Sequence, residues 1–361
     1  MANKTNRETS ILRSRKRQML LKAALYLLSI WLISGCGQGA GTKVPYANMI
    51  PMFTALAAPA SNYSSVAWLT DDKLAFVYES NADSQGNDYY IALFSEQDAK
   101  WKPLEKIRPE ECQSVYYLQL NRLPDGGLGF LVDCYTKPTG FHFYLYEQNI
   151  TGTIAELSKY PDYFPAGRYS FSPDKARYVQ EEYHWNDIYR LYQITVGDSR
   201  MQQLLSEYKR TRSPSWSPDG RTIAFAGNIS VPEPRSSLFS AMPGIADMEF
   251  YPWELFLMDA NGTNVRSILS GVKQADLLKW SPQGRWLAFR GQYEDVPGIW
   301  ILDTVGLQVV RVWPEQSLYY DWSPDGKQMV LLQKKTQDGK EFNHPVIIDV
   351  SPLIVNDQSR Q

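Results

Sequence analysis

Apolar positions along the chain follow two regimes. Residues 23–33 form one apolar run, interrupted by Ser29, behind Arg13, Arg15, Lys16, Arg17 and Lys22. From residue 64 onward the pattern becomes short apolar or aromatic segments separated by turn formers, which predicts many short strands. Ile223-Ala224-Phe225, Leu287-Ala288-Phe289 and Met329-Val330-Leu331 each begin just after a turn signal containing Pro and Gly. Further strands are predicted over 254–259 and 264–269, joined by the turn Ala260-Asn261-Gly262-Thr263, and over 115–120 and 128–133.

The turn signals belong to an internal repeat. Ser215-Trp216-Ser217-Pro218-Asp219-Gly220 recurs as Trp280-Ser281-Pro282-Gln283-Gly284 and as Trp322-Ser323-Pro324-Asp325-Gly326. Phe171-Ser172-Pro173-Asp174-Lys175 is a weaker copy, and Trp68-Leu69-Thr70-Asp71-Asp72 and Leu123-Pro124-Asp125-Gly126 are degenerate ones. Aligned on the Pro column, the six copies are spaced by 54, 49, 45, 64 and 42 residues. Ser before Pro is held extended, as at the end of a strand. Pro presets the first central turn position, Asp suits the second, and Gly supplies a positive φ. Two more strands can be read after each hairpin, so each unit is expected to be a four-stranded antiparallel meander.

Repeats of this length, each a four-stranded unit, predict an all-β chain folded as a six-bladed β-propeller. The motif resembles the Trp-Ser-Pro-Asp-Gly class of TolB-like propellers over about residues 64–355, most strongly in the last three copies. The resemblance implies the fold and an extracytoplasmic setting rather than one biochemical role. TolB proteins carry an additional α/β domain before the propeller, and Gly37 to Tyr63 is too short a stretch to hold one. In the sixth unit the outermost strand is open to two assignments, residues 351–355 or residues 49–56.

The basic flank and the 11-residue apolar run fit a secretory signal and fall short of a bilayer span. Ile33-Ser34-Gly35-Cys36 resembles a bacterial lipobox, which implies cleavage before Cys36 and lipid attachment to its thiol. The expected division is a signal peptide at 1–35, a lipidated Cys with a tether or ring-closing strand at 36–63, the propeller at 64–355 and a tail at 356–361. The alternative is an uncleaved anchor helix with an incidental Cys. Both put the rest of the chain outside the cytoplasm.

Alternating strand direction sends the Pro-Asp-Gly turns to one face and the longer loops to the other. Candidate partner-binding residues on the loop-rich face are Glu181, Tyr183, His184 and Trp185 in the third unit and Tyr293 in the fifth. Phe250, Tyr251 and Trp253 belong to an insertion over residues 227–252 and its edge. A long insertion with many aromatics suits a protein, peptide or glycan partner. The alternative is that its aromatics pack back onto the rim. No Gly-x-Ser-x-Gly nucleophile elbow, Walker phosphate loop or His-Glu-x-x-His zinc helix is present, and no catalytic residue or metal site is assigned. The acidic loops could hold Ca²⁺, although the Asp-x-Asp-x-Asp-Gly spacing is lacking. Cys112 and Cys134 are nearly symmetric about position 123, so a cross-strand disulfide is expected, the alternative being two buried free thiols.

Composition sharpens this. The chain is 43% hydrophobic and 21% charged, ample for a large core, and its net charge of −2 gives no reason to expect nucleic-acid binding. That near-neutrality averages a leader of +6 over residues 1–35 with a remainder of −8. The leading expectation is a non-catalytic, lipid-anchored propeller that binds an envelope protein, peptide or polymer. The alternative is an envelope hydrolase or lyase with a carboxylate or metal site at the propeller channel.

Overall fold

In a computed structural model, the described residues are 46–48, 53–55, 62–80, 88–95, 100–106, 114–136, 140–148, 154–160, 166–184, 188–228 and 253–355, apart from a few isolated positions within these spans. They are almost entirely strand. Two short strands come first, β1 (Tyr46–Asn48) and β2 (Phe53–Ala55).

Three four-stranded antiparallel sheets follow in chain order. The first is β3 (Asn62–Thr70), β4 (Lys73–Ser80), β5 (Asp88–Ser95) and β6 (Lys100–Lys106). The second is β7 (Ser114–Arg122), β8 (Leu128–Thr136), β9 (Gly140–Gln148) and β10 (Ile154–Tyr160). The third is β11 (Ala166–Phe171), β12 (Arg177–His184), β13 (Ile188–Thr195) and β14 (Met201–Leu204).

The next two meanders share a strand. β15 (Thr211–Trp216), β16 (Thr222–Gly227) and β17 (Trp253–Asp259) pair in order, and β18 (Arg266–Trp280) completes them. The far half of β18 then begins a second meander with β19 (Trp286–Tyr293), β20 (Val296–Asp303) and β21 (Val309–Trp313). The last sheet holds β22 (Tyr320–Trp322), β23 (Gln328–Gln337) and β24 (Lys340–Asp349), after which the chain turns into the short helix α1 (Ser351–Val355).

The open question about the sixth unit is answered by β2. It pairs antiparallel with β24, Phe53 opposite Ile348, while residues 351–355 are helical. β1 adds a parallel strand beside β21, Tyr46 opposite Val309. The N-terminal segment therefore clasps the outer edges of two adjacent meanders.

The core lies between sheets. In β16, Ile223 and Phe225 face Val179 and Leu191 of the third sheet. Ala224 and Ala226 point the other way, into the cluster of Leu278, Leu287 and Phe289. Successive side chains of a strand leave opposite faces, so a strand covered on both sides reads as a continuous apolar run. β23 repeats the pattern: Met329 and Leu331 pack with Ile299 and Ile301, while Val330 and Leu332 pack with Trp68, Phe76 and Phe94 of the first sheet. First and last sheets thus share one core. Each fully buried Phe or Leu contributes roughly 1.5–3 kcal/mol, and this packing is the main force holding sheet to sheet.

Candidate functional site

The repeat turns have one hydrogen-bonding plan. In the fourth copy the Gly220 N–H donates to the Ser217 carbonyl (3.0 Å) and the Ser217 N–H to the Thr222 carbonyl (2.8 Å), with Gly220 at φ 71°. The Ser217 hydroxyl donates to Asp219 Oδ1 at 2.6 Å and accepts the Thr222 N–H at 3.0 Å. Asp219 Oδ1 also accepts the Arg221 N–H at 3.1 Å. Ser172 with Asp174, and Ser323 with Asp325, repeat the set. The bond from Ser217, then that from the Arg221 amide, holds the Asp219 carboxyl below its ordinary range, and Ser172 does the same for Asp174. Lys175 takes the glycine position of the third copy, with φ 57°.

Neighbouring turns touch around the face. A methyl added to Gly220 would lie 3.4 Å from Pro173, and one added to Gly284 would lie 3.6 Å from Pro218. Gln283, standing where other copies have Asp, donates to the Asp325 carbonyl at 2.6 Å. The motif tryptophans reach sideways as well. Trp280 Nε1 donates to the Ser215 carbonyl (3.1 Å) and Trp322 Nε1 to the Lys279 carbonyl (3.2 Å), each tying its strand to the first strand of the preceding meander.

Inside this ring of turns lies a cavity of about 360 Å³. It is lined from β7, β11, β15, β18 and β22 by Asn121, Arg122, Tyr169, Trp216, Lys279, Trp280, Asp321 and Trp322, with Pro173, Pro218, Pro282 and Pro324 at the motif turns. Lys279 and Asp321 pair across it at 3.0 Å, and Asp321 also accepts the Trp68 N–H. Four groups of cavity-lining residues, Asn121 Nδ2, Arg122 Nε, the Tyr169 hydroxyl and Trp216 Nε1, are buried without a hydrogen-bond partner, and Trp216 is only 5% exposed. Burial pushes the Tyr169 hydroxyl far up in pKa, the Asn121 side chain acting against it.

A smaller cavity of about 50 Å³ shares Tyr169, Ser215 and Lys279 with it and reaches Arg168 and Ser213. Here the interior is ionic. Asp276 accepts two bonds from Arg290, both at 2.6 Å, and one from Arg168 at 3.1 Å. Glu181 accepts the Ser213 N–H at 2.7 Å and lies 4.0 Å from Arg168. Arg212 donates to the Ala275 carbonyl and stacks on the Trp253 ring at 4.4 Å. Burial pushes the Asp276 carboxyl up, but Arg168, Arg290 and Arg212 more than offset this and hold it below the ordinary range.

Several sequence expectations need correction. Glu181, Tyr183 and His184 fall within β12 rather than in a loop, and Glu181 is buried in the ionic interior. Trp253 opens β17 at 3% exposure under Arg212, and Tyr293 ends β19 at 0%, packed edge-on to Trp300 at 5.7 Å. These aromatics serve the core, so they offer no surface to a partner. Cys134 stands opposite Val115, because the β7–β8 hairpin is centred near position 125, Arg122 facing Leu128, and not at the position 123 assumed from the sequence. Ile33, Ser34, Gly35, Cys36, Cys112, Trp185, Phe250 and Tyr251 lie outside the described residues. Among the described residues, no group of three or more His, Cys, Asp or Glu side chains could hold a metal ion. What the sequence reading missed is Arg122. It stands where the other copies have Trp or Phe, and the turn bonds that follow it, Leu123 N–H to the Gly127 carbonyl and Gly126 N–H to the Leu123 carbonyl, fix the alignment.

No family model matches the chain. It is 28% identical over 190 residues to an uncharacterised protein of Agrobacterium fabrum, a match that covers 50% of this chain and 55% of the relative, about half the length of each. A solved structure assigned as TolB from Agrobacterium tumefaciens is similar over 80% of this chain and 90% of its own, with a TM-score of 0.51 and 17% identity. An oligogalacturonate lyase in complex with manganese aligns over 86% of this chain and 97% of its own, at a TM-score of 0.49 and 15% identity. The repeat turns, the meanders and the likeness to the Agrobacterium tumefaciens structure agree on one architecture: the chain has the fold of a TolB-like β-propeller.

Proposed function

We propose that the protein is an extracytoplasmic, lipid-anchored binding module whose six blades present the channel mouth at the Pro-Asp-Gly face to a ligand or to part of an envelope partner. Cys36 would carry the lipid, and residues 37–45 would tether it to β1. The observation that carries the binding site is the 360 Å³ cavity whose lining residues leave four buried polar groups unpaired. An unmet buried donor costs about 1–3 kcal/mol, so such groups are retained where an acceptor meets them. A volume of this size is in the range of small-ligand pockets.

The enzyme alternative has one observation in its favour, since titratable groups from several blades do converge here. Each carboxylate among them is already committed, however. Asp321 is held by Lys279 and the Trp68 amide, Asp276 by two arginines, and Glu181 by the Ser213 amide. A general acid or base needs a pKa near the working pH and reach to a substrate proton, which argues for binding over acid–base chemistry.

Two measurements test this reading. Radiolabelled palmitate should enter the wild type but not Cys36→Ser; equal labelling of both removes the anchor. A photocrosslinking side chain at Asp219, beside the channel, should trap an envelope component, whereas one at the exposed Val305 should not. Equal yields from both positions would reject the channel mouth as the contact.

A further inference from the structure

We infer that the channel-mouth cavity selects a small organic acid carrying a single carboxylate, which pairs with Arg122. This rests on the channel reading above and narrows it to one ligand chemistry. At the position before the motif Ser, the described copies carry an aromatic ring: Phe171, Trp216, Trp280 and Trp322. Two of these rings satisfy their own N–H groups on the preceding strand. Arg122 replaces the ring in the second meander, and its Nε is buried in the cavity wall without an acceptor. A cation in an aromatic column breaks the local rule of the repeat, and such breaks are expected at functional positions.

The charge lining the cavity indicates the number of anionic groups. Lys279 and Asp321 neutralise each other at 3.0 Å, so Arg122 is the lining cation that this pair leaves uncompensated. One carboxylate balances it, and the planar guanidinium matches a carboxylate's two oxygens. A phosphate dianion would bring a second charge into the cavity with no counterion among these residues. Asn121 Nδ2, the Tyr169 hydroxyl and Trp216 Nε1, also unpaired, ask for a further polar atom such as a hydroxyl or carbonyl oxygen. The indoles of Trp280 and Trp322 and the motif prolines offer the rest of the ligand an apolar wall. The ligand thus described has a carboxylate, a nearby neutral oxygen and a compact apolar body.

Mandelate has these features. Mandelamide is its neutral counterpart, and phenyl phosphate offers a dianion on a similar ring. By isothermal titration on the purified chain, mandelate should bind at least tenfold more tightly than either. Arg122→Gln should reduce mandelate to the level of mandelamide, Arg122→Lys should recover part of the loss, and Trp216→Phe should weaken both ligands several-fold. Thermal midpoints of the variants, measured alongside, separate loss of binding from loss of folding. Mandelamide binding as tightly as mandelate, or an Arg122→Gln variant that folds and binds unchanged, overturns the acid selectivity but leaves a channel ligand. Silence from all three probes also overturns it, and the Asp219 crosslink then decides the channel reading independently.

Discussion

Ser217 does two jobs with one oxygen: it donates to Asp219 and accepts the first amide of the returning strand. Ser217→Ala leaves the Thr222 N–H without its side-chain acceptor, and a loss of about 1–2 kcal/mol is expected in denaturant unfolding. Gly220 sits at φ 71° against Pro173, so Gly220→Ala should lose about 1 kcal/mol or more, read from the same curves. Asp219 and Asp174 are held below the ordinary carboxylate value of 3.8, first by their serine partners. A depressed folded pKa means that their stabilisation is complete above the unfolded value and fades as pH falls through the folded one. Unfolding midpoints should therefore drop below about pH 4, and the drop should be shallower in the Ser172→Ala/Ser217→Ala double variant. A double variant as acid-sensitive as wild type would count against this account. At this scale the sequence was informative. Pro, Asp and Gly announced the turn because each is chosen for backbone geometry. The part played by the serine hydroxyl was hidden, because Ser before Pro already had a sufficient explanation as an extended residue.

Strand β16 explains why the elements were legible while the candidate contacts were not. Its run Ile223-Ala224-Phe225 announces a strand, and burial on both faces explains the absence of polar alternation. The same logic misleads at strand ends. Trp253 and Tyr293 sit next to loops in sequence, yet alternation turns both inward. Nothing in the spacing of Arg168, Arg212, Asp276 and Arg290 reveals that they meet, since they come from four strands of three meanders. Asp276 is the centre of that group, with 7% of its surface exposed. Asp276→Ala should cost about 3–5 kcal/mol by leaving buried arginines uncompensated. Asp276→Leu combined with Arg290→Met should cost less than Asp276→Ala alone. The reverse order, measured as unfolding free energies, would mean that the ion group is a net source of stability.

Across the molecule, the sixth meander takes its outer strand from the beginning of the chain. Sequence spacing could count the repeats but not assign that strand, because residues 49–56 and 351–355 were both of suitable length and polarity. Removing residues 46–55 should expose the edge of β24 and lower the thermal midpoint by several degrees or more, with self-association at high concentration. An unchanged midpoint would reduce the clasp to an ornament. The clasp also has a consequence in time. β2 is synthesised before β3, and its partner β24 follows only after all the strands between them. An early strand is therefore among the last to pair, and β2 stays unpaired until β24 has been made. Slow, non-local pairing of this kind leaves an aggregation-prone intermediate in which β2 is an unpaired strand.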